Sequence, residues 1–103
     1  MTRSEILFNY RQAVRQAEKL ENLANRLKKL SQNKMRDTVG QLQGSWQSDH
    51  SNQYLSKVHR VSEEIAATAG KVMDIANAVR TTAEAVKNAE LRALEIAKNR
   101  SYR

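Results

Sequence analysis

Few residues of this chain combine a reactive type with a spacing that could support catalysis. His50 and His59 lie nine positions apart, which is not a metal-ligand spacing on a helix, and no carboxylate is placed to complete a site with them. Serine is plentiful, but neither a nucleophile-elbow motif nor a glycine-rich phosphate loop occurs. Cysteine is absent, which excludes disulfides and thiolate ligands. The sequence therefore predicts neither an enzyme nor a site for a metal or cofactor.

The basic residues are the next group with a chemical property to offer. The formal net charge is +7, and most of the excess lies in the first half of the chain. Acidic and amide residues interrupt the basic positions there, a pattern typical of a solvated helix face, so nucleic acid is not the expected partner. The alternative function that this charge leaves open is a basic coiled-coil scaffold or chaperone that binds nucleic acid or an acidic protein. The residues concerned are Arg11, Arg15, Lys19, Arg26 and Lys29.

Two long helices must position all of these residues. The chain has no Pro, only three Gly, and a composition rich in helix-forming residues. Apolar residues recur in alternating steps of four and three, which predicts a heptad seam on each helix. In the first helix the seam drifts beyond Leu27 and passes through Leu30, Met35 and Val39, as expected for winding nearer 3.6 than 3.5 residues per turn.

A turn separates the two patterns. Gly44 suits a helix C-terminal cap, and Ser48 or Asp49 can cap the helix that follows. We therefore predict a single all-α domain over residues 1–103, with helix 1 at about 4–43, a turn at 44–48 and helix 2 at about 49–99.

The antiparallel hairpin formed by these helices leaves part of its apolar surface uncovered. Small or apolar residues flank the helix 2 seam at Leu55, Ala66, Ala69 and Ala76, and they make its apolar face wider than one partner helix can cover. Two hairpins are therefore expected to pair into a four-helix bundle dimer. The predicted seam residues are Leu20, Leu27, Val58, Val61, Ile65, Val72, Ile75, Val79 and Val86.

Trp46 is the only Trp, and it lies at the predicted chain reversal instead of in a seam. It can cap the apolar groove where the helices diverge, or serve as a partly exposed anchor for a partner, because Trp is favoured at binding hot spots. The N-terminal residues lack the apolar core of a secretory signal, and no apolar run reaches the roughly 20 residues of a membrane span.

The chain resembles the WXG family, the early-secreted-antigen-like (ESAT-like) proteins of type VII secretion. That family has a helical hairpin of about a hundred residues with Trp-x-Gly in the turn and an aromatic residue eight positions after the Trp. This chain reads Trp46-Gln47-Ser48, with Tyr54 at the eighth position and Gly44 before the motif. Ser48 stands where the motif has Gly, which indicates a divergent member. The family's C-terminal export signal, Tyr-x-x-x-Asp/Glu, is missing, because only Arg103 follows Tyr102.

The resemblance implies a small type VII secretion substrate, or an accessory partner that escorts a larger secreted toxin. It implies synthesis in the bacterial cytoplasm and secretion without a cleaved signal peptide. The implied partners are a second copy, a related small helical protein or the helical N-terminal domain of a toxin, together with the type VII secretion ATPase.

Overall fold

The computed structural model describes the backbone of residues 1–45 and 49–101, and the side chains of residues 1–41 and 52–100. Within these ranges every residue after Thr2 is helical and no strand occurs, which confirms the all-α prediction. Helix α1 spans Arg3–Lys29, a π-helical turn spans Leu30–Lys34, α2 spans Met35–Ser45 and α3 spans Asp49–Ser101. Because α2 ends at Ser45, Gly44 is its penultimate residue and not the first residue of the turn. Trp46 and Ser48 lie outside the described residues.

Helix α1 begins at a side-chain cap. Thr2 Oγ1 accepts a hydrogen bond from the Glu5 N–H at 3.2 Å and donates to the Glu5 carboxylate, 3.2 Å away. This cap occupies one of the N–H groups that the first helical turn leaves without a partner. The Thr-x-x-Glu spacing therefore fixes the start of the helix.

The chain divides into two compact units, and each contains a segment from both long helical stretches. One unit consists of residues 21–73. There Ser31 contacts Ser62 through hydrogen bonds, and Ala24, Val39, Leu55 and Ala69 are buried. Ala24 lies seven residues before Ser31, and Ala69 lies seven residues after Ser62. Two antiparallel helices in register place such residues opposite each other.

The other unit joins residues 1–20 to residues 74–103. Its buried residues are Ile6, Ala17 and Ala76. The Lys87 ammonium lies over the Tyr10 ring, 4.3 Å from its centroid, so the start of α1 packs against the C-terminal part of α3. The hairpin-like arrangement predicted from the sequence is confirmed.

The π-turn accounts for the drift in the first helix's pattern. At its end the Met35 N–H bonds to the Leu30 carbonyl, a five-residue step instead of the four-residue step of an α-helix. Seven residues separate the buried Ala24 and Ser31, but eight separate Ser31 and the buried Val39. One extra residue is therefore accommodated in a single turn, where the sequence pattern predicted a gradual drift.

Candidate protein-binding face

The inner rows of the helices are the residues that face each other within the hairpin. On α3 this row repeats every seven residues, and its members are small or medium in size. Ala76 has no exposed surface at all, and Leu55 and Ala69 are also buried. Small side chains at these positions let two helix backbones approach closely. The inner rows comprise Tyr10, Ala17 and Ala24 on α1, Ser31 in the π-turn, and Leu55, Ser62, Ala69, Ala76 and Ala83 on α3.

A reciprocal pair of serines occupies the inner rows of the 21–73 unit. Ser31 is 8% exposed, and its hydroxyl donates to the Ser62 carbonyl at 2.8 Å. The Ser62 hydroxyl donates to the Ser31 carbonyl at 3.0 Å, and the two hydroxyl oxygens are 3.0 Å apart. Each hydroxyl carries one hydrogen, so these two bonds satisfy both donors. No buried side-chain polar atom of the described residues lacks a partner.

The outer rows lie one position before the inner rows and point about 100° away from them. Every outer-row residue is exposed and none is charged, although 28% of the chain consists of charged residues. Ile75 is 53% exposed, next to the fully buried Ala76. The outer rows comprise Asn9, Gln16 and Leu23 on α1, Leu30 at the start of the π-turn, and Tyr54, Val61, Thr68, Ile75, Thr82, Ala89 and Ile96 on α3.

Thr68 is a polar member of the outer row, and its hydroxyl bonds to the backbone of its own helix. Thr68 Oγ1 donates to the Glu64 carbonyl of its own helix at 2.9 Å. A threonine that bonds back to the preceding turn uses its donor within the helix. Thr68 can therefore face a partner without leaving an unsatisfied donor.

A groove of about 550 Å³ lies between the helices of the unit formed by residues 1–20 and 74–103. Its α1 side includes Asn9 and Ala13, and its α3 side includes Ile75, Val79 and Val86. Among its twelve lining residues only Lys87 and Glu90 are charged. Such a groove between two helices suits the side chains of a third helix.

The predicted seam residues are split between two environments. Val61, Ile75 and Val86 are exposed, each by nearly half or more. The others lie between the inner and outer rows and are half-buried: Leu20, Leu27, Val58, Ile65, Val72 and Val79. On α3 the buried residues Leu55, Ala69 and Ala76 are among those that flank the predicted seam. The sequence hypothesis missed the serine pair, although Ser31 and Ser62 each lie seven residues from a buried alanine.

The remaining predicted functional residues are placed as follows. Tyr54, the aromatic residue of the predicted turn motif, lies on the first part of α3 and is 48% exposed. Arg11, Arg15 and the other basic residues singled out on α1 are all exposed.

His59 is exposed, and the described residues contain no group of three or more side chains that could hold a metal ion. Within the same part of the chain, no helix is both long enough and apolar enough to cross a membrane.

Comparison of the chain with family models, with curated proteins and with solved structures gave no match.

Proposed function

We propose that this chain is a small helical-hairpin protein of a type VII secretion system, acting as a substrate or as an accessory partner. In this proposal it pairs with a second helical hairpin through its outer rows and presents the turn around Trp46 to the export machinery. The pairing half of the proposal is supported by the geometry of the helices. The export half is supported by the resemblance in the Trp46-Gln47-Ser48 motif and Tyr54.

The observation that carries the proposal is the exposed, uncharged outer row of α3 together with the groove beside it. Ile75 of the outer row and Val86 of the groove present aliphatic surface to solvent, although Ala76, next to Ile75, is buried in the hairpin. Burying an aliphatic side chain of this size stabilises an association by about 1.5–3 kcal/mol relative to leaving it exposed. A second pair of helices laid over the outer rows would complete a four-helix bundle.

The pairing is tested by placing charge on the outer row and in the groove beside it. Ile75→Glu with Val86→Glu is expected to abolish pairing with the native partner, because two carboxylates cannot be buried among aliphatic side chains without partners. Asn77→Glu with Asn88→Glu adds the same charge at exposed positions outside the outer row and should leave pairing intact. Pull-down of the native partner, scored by mass spectrometry, provides the measurement. Equal capture by both double variants would refute the pairing face.

The export role is tested at the turn. Trp46→Ala is expected to reduce the amount of the protein in the medium of the native host while its far-UV circular dichroism stays the same. Phe8→Ala, which removes an exposed aromatic residue from α1, serves as the control and should be exported normally. Normal export of the Trp46 variant would remove the turn from the proposal.

The competing interpretation is a basic scaffold that binds nucleic acid. It predicts an affinity for duplex DNA that falls by orders of magnitude as salt is raised, because binding releases counterions from the phosphates. Pairing through an uncharged row should depend far less on salt. Titration of labelled DNA at two ionic strengths therefore separates the two functions.

A further inference from the structure

The rim rows of the hairpin are the exposed positions that border the outer rows on the side away from the hairpin interface. They recur every seven residues through Lys19 on α1 and through Lys71 on α3, and each of these two lysines directly precedes a half-buried seam residue. In coiled coils, charged residues at such flanking positions determine which partners pair. The composition of the rim therefore carries information about the molecule that covers the outer rows.

The rim rows are predominantly basic. In the 21–73 unit they carry Arg26, Lys57 and Lys71 against Glu64. In the other unit they carry Lys19 and Arg92 against Glu5, and the remaining rim positions are uncharged. All of these charged side chains are exposed.

A second copy of the chain is a poor occupant of this face. Two copies that paired through their uncharged outer rows would bring two basic rims together. Each copy also carries a net charge of +7. Like charges facing each other across an interface disfavour pairing. A helical partner with aliphatic residues in its seam and acidic residues beside it would complement both the uncharged outer rows and the basic rim rows.

We infer that the occupant of the outer rows is an acidic helical protein of a different sequence, so that the functional complex is a heteromer. The inference rests on the proposed pairing function and adds the chemistry of the partner. The uncharged outer rows supply most of the attraction. The basic rim rows select acidic helices over basic ones and over a second copy of the chain.

Two matched peptides test the selection. Each is a helical peptide of about five heptads with Leu at the two seam positions. One carries Glu at the flanking positions and the other carries Lys. Binding of each labelled peptide to the purified chain is measured by fluorescence anisotropy at low and high salt. At low salt we expect the Glu peptide to bind at least about tenfold more tightly, with the advantage shrinking as salt screens the charges.

Two double variants distinguish the effect of the rim charges on peptide binding from the effect of the net charge. Lys57→Glu with Lys71→Glu reverses two rim charges and should reduce the advantage of the Glu peptide by about threefold or more. Arg11→Glu with Lys98→Glu changes the net charge by the same amount at exposed positions outside the rim and should preserve the advantage. Loss of the advantage in both variants would show a general charge effect and overturn the rim assignment.

Sedimentation of the chain alone completes the test. We expect a monomer. A stable dimer that Ile75→Glu dissociates would make a second copy the occupant, which overturns the acidic partner but leaves the proposed pairing face in place. Equal binding of both peptides would also overturn it while preserving the face. A monomer that binds neither peptide would refute the face and the proposed pairing function together.

Discussion

The π-turn provides the most demanding test of the packing described above, because it predicts where a residue can be removed from the helix. Asn33 lies in this turn and is exposed. If Asn33 is deleted, seven residues separate Ser31 from the side chain of Val39, the same spacing as between Ala24 and Ser31. Regular four-residue hydrogen bonds can then replace the five-residue step, and Val39 still faces α3. We expect the melting temperature to stay within about 3 °C of that of the parent, or to rise, because the regular α-helical turn that replaces the π-turn is far more common in proteins.

Deletion of a single residue within α1 should instead be destabilising. Gln16 is exposed, but deleting it rotates the preceding residues by about 100° relative to those that follow. Ile6, which is 2% exposed, then leaves its position against α3, and the Tyr10–Lys87 contact is lost with it. Loss of the Ile6 burial costs about 1.5–3 kcal/mol, and loss of the cation–π contact about 0.5–1 kcal/mol. For a chain of this size the sum corresponds to a fall in melting temperature of roughly 10–30 °C.

Thermal unfolding followed by circular dichroism at the helical band compares the two deletions directly. Both remove one exposed polar residue from the same continuous helix, so composition and chain length are matched. If deletion of Asn33 destabilises the protein as much as deletion of Gln16, the π-turn does not compensate for an extra residue. The register assigned to Ser31 and Val39 would then be wrong.

Two further predictions concern the inner rows. Ala76→Leu should destabilise the hairpin by about 1–3 kcal/mol because a fully buried alanine has no room for three more carbon atoms, whereas Ala85→Leu, at an exposed position, should change stability by less than about 0.5 kcal/mol in the same thermal unfolding assay. Ser31→Ala and Ser62→Ala should each cost about 0.5–1 kcal/mol, and the double variant should cost their sum, because each variant removes a separate hydroxyl-to-carbonyl bond. A coupling energy near 1 kcal/mol in urea denaturation would instead assign the energy to the bond between the two hydroxyls.

The helices and the hairpin could be predicted from the sequence because they depend on periodicity and composition. An unbroken seven-residue pattern without proline is compatible with little besides a helix, and the pattern changes where the two helices meet. The cap formed by Thr2 and Glu5 was not predicted, although its Thr-x-x-Glu spacing is present in the sequence. These features depend on residues close together in the chain.

The face of α3 that is buried in the hairpin could not be predicted in the same way. Ile75 and Ala76 are neighbours, and hydrophobicity alone favours the larger side chain for the interior. The structure buries Ala76 and exposes Ile75, because close approach of the helix backbones favours small residues. The π-turn was missed for a related reason. An eight-residue step from Ser31 to Val39 looks the same in the sequence whether the shift is gradual or concentrated in one turn.

The distribution of side-chain sizes also connects the stability of the hairpin with its proposed function. Four of the seven buried hydrophobic residues in the described part of the chain are alanines, which contribute little apolar surface. The larger aliphatic residues of α3, such as Val61, Ile75 and Ile96, are exposed on the outer row instead. The free energy available from burying these exposed residues would therefore be realised only if another molecule covered that row. A partner that binds the folded hairpin and not the unfolded chain must then raise its stability in proportion to the logarithm of its concentration. The hairpin alone should be the weakly stable form, and the paired hairpin the form that persists at working temperature.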